Sequence, residues 1–178
     1  MTDSDEPRGV DDEAVPQRAV IVGVIPDQPE RVLREAARYA SMMSAPLIVA
    51  HVDVSRFVTY EDPDGYVHSA PIDIDLSTGE AEMNLVRETA ERVLSGLSVP
   101  WSVQQLVGDP ALAIKHLAEK SDARLLVVGT RRRGFGETIR EFFTGSVAAR
   151  LAHRQSRPIL VVPLEDPARD DEELWPDA

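Results

Sequence analysis

The chain is predicted to be an α/β protein: one five-stranded parallel sheet with helices on both faces. Three observations carry this. Short, β-branched apolar runs recur at Arg18–Val24, Pro46–Val52, Arg124–Val128 and Pro158–Val162, each too short for a helix and too continuous for a strand with one wet face. Between them lie stretches with helical spacing of apolar residues. Each crossover is long enough for a right-handed βαβ unit, which forces the strands parallel and places helices on the faces.

The first strand, Arg18–Val24, reads as central and buried on both sides. Ile25-Pro26-Asp27-Gln28-Pro29 is a turn, with Pro29 suited to a first helical position. Apolar residues at 32, 33, 36, 37, 40 and 43 make one face of a helix over 30–44, in which Met42 and Met43 read as packing residues. Pro46–Val52 is the second strand. Residues 53–79 show no clear period and read as a long surface excursion.

A helix is predicted over 80–97, with Met83, Val86, Ala90, Val93, Leu94 and Leu97 on one side. Trp101, Val103, Gln105 and Val107 alternate with their neighbours, as expected of an edge strand. Asp109 is placed to cap the next helix, Pro110 to open it, and Leu112, Ile114 and Leu117 to pack it. The fourth strand is Arg124–Val128, followed by a helix over Ser146–Arg154 and the last strand, Pro158–Val162.

Charge divides the 178 residues into three parts. The net charge is −12, but residues 1–16 carry −5 and residues 165–178 carry −6, leaving about −1 on 17–164. The expected organisation is an α/β domain over 17–164 between two acidic, solvated tails. Tails of this sign repel nucleic acid and anionic membranes, and neither is expected as a partner. No run reaches the roughly 18 apolar residues of a membrane span. The first 16 residues lack the apolar core of a signal peptide, and the chain has no cysteine. Together these point to the cytoplasm.

The most informative chemistry follows the fourth strand. Leu125-Leu-Val-Val-Gly129 runs into Thr130-Arg131-Arg132-Arg133-Gly134-Phe135-Gly136, and Gly145-Ser146 opens a helix. Glycine lets backbone approach a ligand closely, the free N–H groups of a helix start donate to anions, and arginine forks onto phosphate. The plain alternatives are a tight turn at Gly129, a simple helix cap at Ser146 and a solvated arginine loop. His51 reads as a packed core histidine. His68, His116 and His153 have no metal spacing, and no Gly-x4-Gly-Lys-[Ser/Thr] run is present.

Six pieces in order resemble the universal stress protein family: the first strand with its helix, Ile48–Val52, Gly108-Asp109-Pro110, Leu126-Val-Val-Gly129-Thr-Arg, Gly145-Ser146-Val147 and Arg157–Pro163. The resemblance covers about 18–163 and implies the adenine nucleotide alpha hydrolase-like fold. It also implies a stress-response regulator that binds an adenine nucleotide (ATP, or ADP or AMP) with Mg²⁺, and a homodimer formed through Pro158–Val162. By the same resemblance, backbone near Val52 would face the adenine. Gly108 would line the ribose side, and Gly129, Gly145, Ser146 and Val147 would hold the phosphates. The phosphate chemistry of arginine, rather than the resemblance, adds Arg131 and Arg132 beside them.

Two positions depart from the nucleotide-binding pattern. Arg132 stands where the pattern has its second glycine, and twelve residues rather than nine then precede Gly145. Ile25 stands where nucleotide-binding members resemble Asp, and Asp27 would replace it only in a reshaped turn. No general base for hydrolysis is evident, so any ATP turnover would be slow. Two alternatives follow: a nucleotide-free interaction module of the same fold, and a flavin domain, for which few aromatic residues are available.

Overall fold

The computed structural model describes residues 15–54, 56–61, 67–71, 76–130 and 147–164. Its elements are β1 (Val20–Val24), α1 (Arg31–Met42), β2 (Leu47–Asp53), β3 (Arg56–Glu61), β4 (Val67–Pro71), α2 (Leu76–Leu94), β5 (Trp101–Val107), α3 (Pro110–Lys120), β6 (Leu125–Gly129), α4 (Val147–Arg154) and β7 (Ile159–Val162). Five strands form a sheet in the order β5-β2-β1-β6-β7, and every pairing in it is parallel. The predicted class therefore holds, and Trp101–Val107 lies at an edge as expected.

Alternation along the strands builds two cores. Val20, Val22, Leu47, Val49 and Val127 face one side with Val32, Leu33 and Ala36 of α1 and Val86, Ala90 and Leu94 of α2. Ile21, Ile48, Ala50, Leu126 and Val128 face the other with Ala111, Ile114 and Leu117 of α3 and Leu151 of α4. Each large aliphatic side chain so buried contributes about 1.5–3 kcal/mol. Val15 also packs against the second core, just outside the expected domain boundary at 17.

Prolines mark the amino edge of the sheet. Pro46, Pro100 and Pro158 each stand just before or at the entry to a strand. Their carbonyls accept from Val20 N (2.8 Å), Leu47 N (2.9 Å) and Leu126 N (3.0 Å) of the neighbouring strands. Arginines tie the same end: Arg124 Nη1 donates to Met43 O at 2.7 Å and Arg157 Nε to Ala123 O at 3.0 Å.

Several local expectations are corrected. The stretch 53–79 is not a featureless excursion: β3 and β4 pair antiparallel within it as a separate two-stranded sheet. Its strands are short and a register shift between Val58 and Tyr60 breaks their alternation, which hides the period. Helix α2 begins at Leu76 rather than Glu80 and ends at Leu94, leaving Leu97 47% exposed past its end. Pro29 is not the first helical residue: Glu30 is the N-cap of α1 and makes no side-chain cap. Glu30 instead joins two helices, paired with Arg34 of α1 (2.5 Å) and with Arg92 of α2. Leu112 faces outward on α3, and Met42 is 69% exposed while Met43 packs on the core.

Candidate functional site

Chain order runs outward from β1 through β2 to β5, then returns to β6 beside β1. In sheets of this topology the reversal marks a crevice beyond the carboxyl ends of the two strands, here β1 and β6, where ligands bind. The turn after β1 and Gly129-Thr130 at the end of β6 flank this point, and the ends of β2 and β5 continue the same edge.

Val52 and Gly108 come together at the β2–β5 end. Gly108 N donates to the carbonyl of Asp53, next to Val52, at 3.0 Å. Gly108 has φ +93°, the left-handed region that favours glycine. The chain there turns sharply into α3. Asp109 caps that helix as the sequence predicts, Oδ1 accepting from Leu112 N at 2.9 Å. Its other oxygen, Oδ2, lies 2.7 Å from Arg150 Nη2, tying α3 to α4.

Val52 sends its side chain into the α3/α4 core, so only its backbone is available to the crevice side. Val147 opens α4 and packs partly against that core. Arg131, Arg132, Gly145 and Ser146 lie outside the described residues, as do Arg133, Gly134, Gly136 and Arg140.

Gly129 ends β6 at this reversal point. A Cβ there would lie 2.8 Å from Gln28 Nε2 and 2.8 Å from Leu164 Cδ2. Its lack of a side chain admits two of the chain's own side chains, which is a packing reason for glycine. Leu164 is held by its N–H, which donates to Thr130 Oγ1 at 2.9 Å, and Thr130 N donates to Val162 O.

Gln28 was not legible as a site residue. Asp27 takes φ +58°, so the turn is reshaped and it is the next side chain, Gln28, that folds back toward the crevice. Ile25 N donates to Gln28 Oε1 at 3.0 Å. Ile25 itself is 52% exposed and offers no polar side chain. The signal, a polar residue three positions after the strand end, is too common to single Gln28 out.

On the α2 side, β2 presents two buried polar residues. His51 is 2% exposed; its Nδ1 lies 3.2 Å from Val24 O and its Nε2 lies 3.4 Å from Glu82 Oε2 without good hydrogen-bond geometry. It is a packed histidine bridging strands and α2, as expected. Asp53, 3% exposed, lies against Gly79 in the first turns of α2. Among the described residues no cluster of three or more His, Asp or Glu side chains could hold a metal ion. Nor is any described helix long and apolar enough to cross a membrane.

Known proteins agree with this architecture. A solved universal stress protein in complex with cAMP is 23% identical, aligned over 84% of this chain and 99% of its own, with a TM-score of 0.53. A universal stress protein from Archaeoglobus fulgidus is 22% identical over 81% of this chain and 97% of its own, TM-score 0.53. A protein of that family from Burkholderia pseudomallei is 20% identical over 82% and 96%, TM-score 0.56. No protein of curated function matches the sequence. The universal stress protein family matches residues 17–163, nearly the whole two-cored domain and its carboxyl-edge crevice, and the chain belongs to that family.

Proposed function

We propose that this chain is a cytoplasmic regulatory protein that binds an adenine nucleotide, ATP in the first instance, across the carboxyl edge of its sheet. One observation carries the reading: the strand-order reversal sets the turn after β1 beside Gly129, with the Gly108 turn two strands away. Backbone at Val52 and Gly108 would take the base and sugar. The loop after Gly129, with Arg131, Arg132, Gly145, Ser146 and Val147, would take the phosphates. The cAMP complex of a relative with this fold supports the adenine class. With no metal cluster among the described residues, Mg²⁺ would enter on the phosphates themselves.

Calorimetric titration of the full chain with ATP, with and without Mg²⁺, tests this. Binding is expected, and the double substitution Arg131→Ala, Arg132→Ala should weaken ATP by about tenfold or more while AMP suffers less, because charge-assisted bonds to the distal phosphates are lost. No heat at millimolar nucleotide sinks the reading.

A second reading, a nucleotide-free interaction module, draws on a different surface. Ile25 (52% exposed) and Leu85 (46% exposed) border a small apolar pocket between the 25–29 turn and α2. Mass spectrometry of the purified, denatured protein separates the two: a co-released adenine nucleotide favours the first.

We also propose a homodimer through β7. Among the described residues this strand pairs with β6 alone, and Val161 on it is 43% exposed. An apolar edge of this kind invites pairing across a two-fold axis. Light scattering at tens of micromolar protein, roughly the range where a modest interface forms, should give twice the monomer mass, and Val161→Lys should return the monomer. A monomeric wild type would refute this.

A further inference from the structure

We infer that Gln28 reads the ligand's first phosphate, through its side-chain amide as a hydrogen-bond donor. The inference rests on the nucleotide reading above and deepens it. The orientation of the amide is fixed by chemistry: a backbone N–H can only donate, so the atom 3.0 Å from Ile25 N is Oε1. Nε2 is therefore the other atom, and it is the one that lies against Gly129. With Oε1 turned to Ile25 N, it is the N–H groups that the amide presents at Gly129. Its complement is an acceptor, best a charged one.

The sheet says which acceptor. Across the carboxyl edge the order is Gly108 after β5, Val52 on β2, Gln28 after β1 and Gly129 on β6. Neighbouring strands stand about 4.8 Å apart. A nucleotide lying along this edge, base over β2 and β5 and distal phosphates beyond β6, brings the sugar and its attached phosphate over β1. Gln28 stands there. Ile25 and Asp27 do not compete, the one apolar and the other exposed. A neutral donor at this place attracts a phosphate oxygen where a carboxylate would repel it. The site is thus selective for a nucleoside phosphate over the bare nucleoside.

The isosteric Gln28→Glu substitution separates the roles. A carboxylate still accepts from Ile25 N–H, so the turn is kept, but the donor becomes a negative charge. Calorimetry with AMP, adenosine and pyrophosphate on the full chain should show AMP weakened about 10- to 100-fold and adenosine unchanged, with thermal unfolding unaltered. Gln28→Ala should weaken AMP by a smaller factor, since it removes the donor without adding charge. AMP bound equally by wild type and Gln28→Glu overturns the inference and leaves the nucleotide reading standing. Equal weakening of AMP and adenosine also overturns it, assigning Gln28 to the turn alone. A wild type that binds neither AMP nor pyrophosphate removes both.

Discussion

Gly79→Ala is expected to destabilise the protein by about 1–3 kcal/mol, the range for overpacking a closed interior. Helix propensity argues the other way, since alanine in an exposed helix interior is better than glycine by about 1 kcal/mol. Geometry decides. Gly79 is a buried residue of α2, and a Cβ there would lie 2.6 Å from Asp53 Oδ2 and 3.3 Å from its Cγ. The Asp53 side chain is short and 3% exposed, and its backbone carbonyl holds the Gly108 turn. It has little room to retreat without dragging that turn. Urea unfolding should show a lower midpoint with an unchanged slope. A higher midpoint would mean that the carboxylate yields and propensity wins. Because Asp53 also holds the proposed base side of the crevice, the same variant should weaken nucleotide binding as well as stability.

Asp109→Ala is expected to cost about 2 kcal/mol. Loss of a helix cap accounts for about 1, here the bond from Leu112 N. The remainder comes from Arg150, whose side chain is only 20% exposed and would lose its partner 2.7 Å away; partial exposure of both groups keeps this contribution near the upper end for surface pairs, about 1 kcal/mol. Asp109→Asn should retain most of the cap and lose most of the pairing. A double-mutant cycle with Arg150→Ala isolates the second part. If Asp109→Ala and Arg150→Ala prove strictly additive, the pair contributes nothing and the cap explains the whole loss.

What the sequence revealed, and what it hid, follows from the range of the interactions. Leu125–Val128 and Val20–Val24 announce themselves as central strands because burial on both faces demands unbroken apolar runs. Asp109-Pro110 announces a helix start because capping is settled within three residues. The period of α2 is legible only from Glu80 because the place of Gly79 in the helix is justified by a side chain 26 positions earlier, Asp53. Gln28 was passed over because its position depends on the left-handed turn at Asp27 and on a glycine 101 residues away. The hairpin β3–β4 was missed because two short, irregular strands carry too little periodicity to stand out. At the site, the crevice was legible as a property of the topology. The side chain that points into it was not.

The prolines at the amino edge have a further consequence. Pro46, Pro100 and Pro158 accept from neighbouring strands but have no N–H to give, so the pairing cannot creep past them toward the chain's earlier residues. Each acts as an end-stop that fixes where its strand begins. Lengthening a connection at that end would press against three such stops at once. The amino end is therefore where the alignment of these strands is set.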